Sequence, residues 1–102
     1  MRKIVLVCAQ GMSTGMLMNK MRAAAEKQKY ECSIEAYAVS QAKSKADDAD
    51  VILVGPQVRY ELDNVKSMFP GKPVEVINMT DYGRLNGEGV LNTAKKLIGD
   101  TK

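Results

Sequence analysis

The stretch Lys3-Ile-Val-Leu-Val-Cys8 is a short, almost uninterrupted apolar run in which β-branched residues recur. Such a run is typical of a strand buried on both faces, as in a parallel sheet. A second run of this kind, Val51-Ile-Leu-Val54, stops at Gly55-Pro56, and a further run, Val74-Glu-Val-Ile77, follows Pro70-Gly71. The sequence therefore predicts a parallel sheet with both of its faces covered.

Helices are predicted between and after these strands. Apolar residues recur at three- and four-residue spacing after Ser13, which is the predicted N-cap of the first helix. Pro56 fits the start of another helix, because its fixed φ and missing donor suit the first helical position. The alternation along Cys32–Ala38 indicates a more exposed edge strand. The predicted helices are 13–29, 40–48, 56–68 and 89–98, and a loop is expected at 79–87.

This order of elements predicts the fold class. Strands that alternate with helices imply right-handed crossovers and a parallel sheet, so an α/β protein is expected. Four such strands form a three-layer flavodoxin-like sandwich around a four-stranded parallel sheet of order 2-1-3-4. The 102 residues show no repeat and no linker, so we expect one free-standing domain over 1–102.

Composition excludes several classes of protein. Charged residues make up 26% of the chain but are interspersed, without the dense basic stripe that a nucleic-acid partner would require. No apolar run approaches the ~20 residues of a membrane span, and the run after Lys3 is too short for a signal peptide. We therefore expect a cytoplasmic protein in which Cys8 and Cys32 stay reduced.

Chemistry is expected at the reversal of strand order, because ligands of open parallel sheets bind there, beyond the carboxyl ends of the strands. For order 2-1-3-4 this point lies between the first and third strands, and Cys8 is the last residue of the first. The loop after it is a predicted anion cradle, because Gly11 and Gly15 free the backbone and successive N–H groups lead into a helix. Ser13 and Thr14 add hydroxyl donors. Such surroundings favour the thiolate, the nucleophilic form of a cysteine.

Other uses of these residues fit less well. The Lys of the pattern GxxxxGK[ST] is missing after Gly11, and the pattern GxGxxG is absent. Cys32 begins the second strand, at the opposite end of the sheet from Cys8, so no disulfide is expected and Cys32 is interpreted as structural. Zinc is disfavoured, because two distant cysteines and no histidine cannot supply four ligands.

Four segments together carry a resemblance to a known family. They are Cys8-Ala-Gln-Gly-Met-Ser-Thr14, Val54-Gly-Pro-Gln57, Pro73-Val-Glu-Val-Ile77 and Tyr82-Gly83. In this order and spacing they closely resemble the IIB components of the lactose/cellobiose class of the phosphoenolpyruvate-dependent sugar phosphotransferase system. The resemblance spans essentially the whole chain, and no single segment decides it.

The resemblance implies a phosphoryl carrier, a phosphotransferase component of sugar uptake. Proteins of this family accept a phosphoryl group from a phosphohistidine on the IIA component, hold it as phosphocysteine and pass it to a sugar bound by the membrane component IIC. Cys8 matches the phosphorylated cysteine. The residues that match the phosphate-binding loop are Ala9, Gln10, Gly11, Met12, Ser13, Thr14 and Gly15.

Further expectations follow from the resemblance. It implies no cofactor, and it favours a cellobiose-like β-glucoside, although IIC selects the sugar. A carrier must keep its cysteine face free, which favours a monomer. Met12 and Met16 flank the predicted loop, and they are interpreted either as partner contacts or as packing in the core.

Two alternatives are weighed against the carrier. A phosphatase of the low-molecular-weight tyrosine-phosphatase type shares the strand–Cys–loop–helix layout, and Asp81 would be its acid. Such an enzyme wants an arginine six residues after the nucleophile, where this chain has Thr14. A flavodoxin-like binding module is the third interpretation; aromatics of only 5% weaken flavin binding, and no acidic residue stands at Cys8 or Gly55 to form a receiver site.

Overall fold

The computed structural model describes residues 2–8 and 12–100, without the side chains of residues 12–14. Strands and helices alternate along these residues. A 3₁₀ segment, Pro56–Glu61, follows the third strand. The strands and α-helices are β1 (Arg2–Cys8), α1 (Met12–Lys27), β2 (Cys32–Ala38), α2 (Val39–Lys45), β3 (Val51–Val54), α3 (Leu62–Met68), β4 (Val74–Val76), α4 (Met79–Gly83) and α5 (Gly87–Ile98).

The four described strands form one parallel sheet of order β2-β1-β3-β4, which confirms the prediction. In the register of the sheet, Ile4 of β1 lies between Ile34 of β2 and Val51 of β3. β2 is an edge strand, as its alternating sequence indicated. Because the strand order reverses between β1 and β3, the carboxyl ends of these two strands border the crevice where such sheets bind ligands.

Each face of the sheet builds its own core. Successive side chains of β1 go to opposite cores, because side chains alternate along a strand and β1 is buried on both faces. The three-layer flavodoxin-like sandwich is thereby confirmed. The α1/α5 core includes Ile4, Leu6, Leu17, Met21, Leu53, Val90 and Leu91. The α2/α3 core includes Val5, Val7, Ala42, Val54, Val65 and Phe69.

The helix predicted at 56–68 is in fact two elements. Pro56 begins the 3₁₀ segment, in which Val58 leaves helical geometry at φ −119° and ψ 28°. Val58 is buried, so its packing into the α2/α3 core overrides the helical pattern at this point. The α-helical part, α3, starts only at Leu62.

Asparagine caps account for two other differences from the prediction. The predicted loop at 79–87 contains α4, whose N-cap Asn78 accepts hydrogen bonds from the N–H groups of Thr80 at 2.9 Å and Asp81 at 3.1 Å. Asn86 caps α5 by accepting from the N–H of Gly89 at 3.1 Å. Helix α5 therefore begins at Gly87, two residues before the predicted start at 89.

Helices α1 and α5 touch backbone to backbone at Gly87. This glycine is buried, and a Cβ placed on it would collide with the backbone of Lys20 and Met21 in α1. Only glycine allows so close an approach of two helices here. Gly87 therefore sets the position of α1 over the sheet, and α1 is the helix that follows Cys8.

A cluster of polar groups, the Asp100 clasp, joins residue 100 to the amino edge of the sheet. The carboxylate of Asp100 accepts hydrogen bonds from Nε and Nη2 of Arg2 at 2.8 Å each and from Oη of Tyr30 at 2.6 Å. Nζ of Lys95 lies 4.8 Å from the centroid of the Tyr30 ring, a cation–π contact. The hydrogen bonds from Arg2 and then from Tyr30 hold the pKa of Asp100 below its ordinary value.

We expect Gly87→Ala to lower the free energy of unfolding by about 1–3 kcal/mol, because overpacking at a backbone contact forces α1 and α5 apart. Gly83→Ala is the matched control, since a Cβ on this helical glycine meets nothing within 4 Å. Denaturant unfolding followed by circular dichroism measures both variants. Equal stability of the two would show that α1 and α5 are not in contact at Gly87.

The stability that Asp100 confers should disappear in acid. Because the pKa of Asp100 is depressed by folding, its interactions stabilise fully above the unfolded pKa of about 3.9 and are lost as the pH falls through the folded value. We expect the melting temperature of Asp100→Asn to be lower than that of the wild type at neutral pH. The difference between the two melting temperatures should narrow below about pH 4. Thermal unfolding across this range checks it, with the exposed Asp47→Asn as control. A difference in melting temperature that does not change with pH would contradict the stabilising role of the ionised Asp100 carboxylate.

Candidate functional site

Cys8 ends β1 at the carboxyl edge of the sheet, where the sequence placed it. It pairs with Ala38 of β2, and alternation along β1 puts its side chain on the same face as Leu6, under α1. The side chain is only 3% exposed. Among the described residues it is nevertheless a member of neither core cluster. Cys8 is therefore a buried cysteine at the end of β1, where the sheet borders the crevice.

Gly55 brings the end of β3 against Cys8. Its N–H donates to the carbonyl of Val7 at 2.8 Å, which continues the β1–β3 pairing beyond Val54. A Cβ on Gly55 would lie 3.4 Å from that carbonyl oxygen, 3.7 Å from Cβ of Cys8 and 3.2 Å from Oε1 of Gln57. The missing side chain leaves a small space that Cys8 and Gln57 share.

The predicted phosphate-binding loop is described only in part. Residues 9–11 (Ala9, Gln10 and Gly11) lie outside the described residues, and residues 12–14 form the first turn of α1 together with Gly15. Helix α1 begins at Met12, so Ser13 is a first-turn residue and not the predicted N-cap. The helix predicted from Ser13 therefore begins one residue earlier, and the second half of the predicted phosphate-binding loop is the first turn of α1.

The start of α1 supplies main-chain donors at this edge. The first four N–H groups of an α-helix have no acceptor within the helix, and this end carries partial positive charge. In α1 these groups belong to residues 12–15. Because α1 returns along the sheet from the carboxyl end of β1, its N-terminus lies at the same edge as Cys8. Helix starts of this kind bind anions.

A pocket of about 630 Å³ lies beside the ends of β3 and β4. One wall is the 3₁₀ segment after β3, and the other is α4 after β4. Its lining is largely apolar. Since Gln57 lies both in this pocket and next to Gly55, the pocket adjoins the space beside Cys8. The lining residues are Pro56, Gln57, Arg59, Tyr60, Met79, Tyr82 and Gly83.

Three large apolar side chains, which we call the apolar rim, are exposed on this edge. They are Met16 at 61%, Tyr60 at 78% and Met79 at 60%. Each belongs to a segment that leaves the carboxyl end of a strand, so the rim surrounds the end of the sheet that carries Cys8. Met16 therefore does not pack into the core, one of its two interpretations, while the side chain of Met12 lies outside the described residues. Sequence patterns did not point to Tyr60 or Met79.

Cys32 lies far from this edge. It is the first residue of β2 and pairs with Arg2, whereas Cys8 pairs with the last residue of β2. The two thiols are free and stand at opposite ends of the sheet, so they cannot be bridged. Burial raises the pKa of the Cys32 thiol above its ordinary value, which suits a structural cysteine.

Asp81, the residue considered as a catalytic acid, makes local hydrogen bonds to Asn86. Its Oδ1 accepts a hydrogen bond from Nδ2 of Asn86 at 3.1 Å, and its carbonyl accepts from the N–H of Asn86 at 2.8 Å. These two bonds join α4 to the cap of α5. The structure therefore gives Asp81 a local structural role.

Two kinds of site are not found within residues 2–8 and 12–100. No group of three or more His, Cys, Asp or Glu side chains there could hold a metal ion. No helix in the same residues is both long and apolar enough to cross a bilayer.

Known proteins are similar to this chain over almost its whole length. A family model described as the lactose/cellobiose-specific IIB subunit of the PTS system matches residues 3–93. A galactose-specific EIIB component from Lactococcus lactis subsp. cremoris (strain MG1363) is 37% identical, covering 93% of this chain and 94% of the relative. An oligo-beta-mannoside-specific EIIB component from Bacillus subtilis (strain 168) is 38% identical, covering 96% and 97%. The solution structure of a cellobiose-specific IIB component from Borrelia burgdorferi is 36% identical with a TM-score of 0.82, covering 97% and 93%.

Proposed function

Since the chain belongs to the lactose/cellobiose-specific IIB family of the phosphotransferase system, we propose that it carries a phosphoryl group on Cys8. IIB components are phosphotransferase-type proteins that work with IIA and IIC partners. The observation that supports the proposal most directly is the position of Cys8, at the end of β1 and beside the start of α1 and Gly55. The residues proposed to bind the phosphoryl oxygens are those of the segment 9–15, chiefly through main-chain N–H groups.

The proposed chemistry consists of two displacements at phosphorus. In the first, the Cys8 thiolate attacks the phosphohistidine of IIA; the S–P bond forms, the P–N bond breaks, and the imidazole takes up the proton that the thiol gave up. In the second, a sugar hydroxyl held by IIC attacks; the O–P bond forms, the S–P bond breaks, its electron pair returns to sulfur, and the hydroxyl proton is released to solvent. Both steps develop negative charge that amide donors stabilise.

The covered sulfur constrains how transfer takes place. With Cys8 only 3% exposed, transfer requires a conformation in which the sulfur is more open than in this structure. The apolar rim surrounds the edge from which a partner must approach. Exposed Tyr and Met side chains are enriched at protein interfaces. We infer that IIA docks on this rim and that the uncovering of Cys8 accompanies docking.

The proposed sugar is a cellobiose-like β-glucoside, and its choice rests with IIC. Relatives of nearly equal identity are named for galactose and for oligo-beta-mannoside, and a solved relative is named for cellobiose. Similar IIB sequences thus serve different sugars, which is expected when the sugar is bound by another component. We further propose that the carrier acts as a monomer, because a free Cys8 face must meet two partners in turn.

A phosphatase on the same layout remains the second candidate, and the described side chains do not favour it. Arg22, the nearest arginine after Cys8, lies inside α1 and donates from Nη2 to the carbonyl of Ile34 at 2.6 Å. The guanidinium of Arg22 is therefore bound to β2 and is not directed to Cys8 by this bond. Asp81, the candidate acid, is bonded to Asn86. Neither the clamp nor the acid that hydrolysis needs is supplied by these residues.

Phosphorylation of Cys8 can be tested directly. After incubation with phosphoenolpyruvate, the general phosphotransferase proteins and IIA, we expect intact-mass spectrometry to show one added phosphoryl group that survives acid better than phosphohistidine. The group should be absent in Cys8→Ser and retained in the matched control Cys32→Ser. Wild-type phosphorylation of Cys8→Ser would mean that another residue is the carrier.

Docking of IIA on the apolar rim predicts a kinetic defect without a fold defect. We expect Tyr60→Ser and Met79→Ser each to slow transfer from limiting phospho-IIA about tenfold, because truncating a central interface side chain weakens the encounter complex. The defect should vanish at saturating IIA. Lys66→Ser, at an exposed position of α3, is the control. Rates equal to those of the control at limiting IIA would place the docking surface elsewhere.

A further inference from the structure

The carboxamide of Gln57 and the side chain of Cys8 both border the space left by the missing side chain of Gly55, although the two residues are far apart in the chain. Oε1 of Gln57 and Cβ of Cys8 are 3.2 and 3.7 Å from one point, the position that a Cβ on Gly55 would occupy. That point is held against β1 by the 2.8 Å hydrogen bond from Gly55 N–H to the Val7 carbonyl. The amide and Cys8 therefore border the same space at the end of β3.

The backbone on both sides of Gln57 is fixed. Pro56 before it has a locked φ, and Val58 after it is buried and donates its N–H to the Gly55 carbonyl at 3.0 Å. The turn is thus fixed by the pyrrolidine ring of Pro56 on one side and by the packing of Val58 in the α2/α3 core on the other. Gln57 is held beside the cysteine by its neighbours and not by its own side chain.

The Gln57 side chain contributes no hydrogen bond to the described part of the fold. It is exposed, and within the described chain its amide makes no hydrogen bond. A carboxamide offers two donors and two acceptor sites. A half-turn about the Cγ–Cδ bond exchanges Oε1 and Nε2 at almost no change in shape. A carboxamide with free donors therefore borders the space beside Cys8.

We infer that Nε2 of Gln57 donates a hydrogen bond to the phosphoryl group carried on Cys8. The inference rests on the proposed function and extends its binding site from the 9–15 segment to the turn after β3. A phosphoryl group on sulfur carries close to two negative charges near neutral pH and has three acceptor oxygens. A neutral amide stabilises that charge without adding a cation. Gln57 is then a phosphoryl-binding residue that acts in both displacements.

The test is the equilibrium level of phosphocysteine with IIA as sole phosphoryl donor. Gln57→Met keeps the length of the side chain without its donors, and Gln57→Glu keeps its shape but places a charge beside the phosphoryl group. We expect Gln57→Met to lower the equilibrium level of phosphocysteine about tenfold, the worth of one charge-assisted hydrogen bond, and Gln57→Glu to lower it further. Gln41→Glu, at an exposed position of α2, is the matched control for added charge.

A second readout separates binding from a structural effect. We expect the ³¹P chemical shift of phosphocysteine to titrate at higher pH in Gln57→Glu than in Gln41→Glu, because a nearby carboxylate disfavours the dianion. Melting temperatures of the Gln57 variants should match the wild type, since the amide makes no hydrogen bond to the described residues.

The outcomes are separable. Normal phosphorylation of the wild type, with wild-type levels in both Gln57 variants, would overturn the inference and leave the proposed function intact. A loss in Gln57→Glu alone would also overturn it, because charge and not a lost donor would then be responsible. A wild type that is not phosphorylated at all would instead overturn the proposed function, and this inference with it.

Discussion

The pairing of β1 with β3 is the constraint on which the site depends. Both strands are buried on both faces, and a slip of one residue would send every apolar side chain of one strand to the wrong core. The register is therefore fixed by hydrophobic burial, at about 1.5–3 kcal/mol for each large side chain. Its last bond, from Gly55 to Val7, is what holds the turn containing Gln57 next to Cys8. The position of Cys8, the proposed nucleophile, is thus a consequence of core packing far from it.

Elements with a clear apolar pattern could be predicted from the sequence. The other elements depend on capping side chains and on tertiary packing. The strands at 51–54 and 32–38 agree with the structure, because apolar runs and alternation directly express burial on two faces or one. Helix α4 was missed, because five residues make little more than one turn, with no apolar stripe, and its main signal is the capping side chain of Asn78. The turn at Val58 was missed because tertiary packing overrode a helical pattern.

For the site, the sequence could place Cys8 but not its surroundings. A strand end followed by glycines and hydroxyls predicts where a sulfur lies along the chain. How far it is covered depends on what folds over it, and the 3% exposure of Cys8 had no sequence signal. The proximity of Gln57 was equally hidden, because it needs the register of β1 and β3 to within one residue. Of the apolar rim, only Met16 was considered as a partner contact, with core packing as the alternative, since Tyr60 and Met79 lie on elements whose local structure was not foreseen.

The choice of uncharged groups beside Cys8 fits a carrier better than a hydrolase. A carrier must bind the phosphoryl group and then release it to an acceptor of similar affinity, so strong fixation would stop transfer. An arginine clamp makes bidentate, charge-assisted bonds and would hold the group tightly. Here Arg22 is bonded to the Ile34 carbonyl, while the uncharged Gly55 and the amide of Gln57 border the space beside Cys8. On the proposed function, the charge of the groups around Cys8 therefore decides how firmly the phosphoryl group is kept.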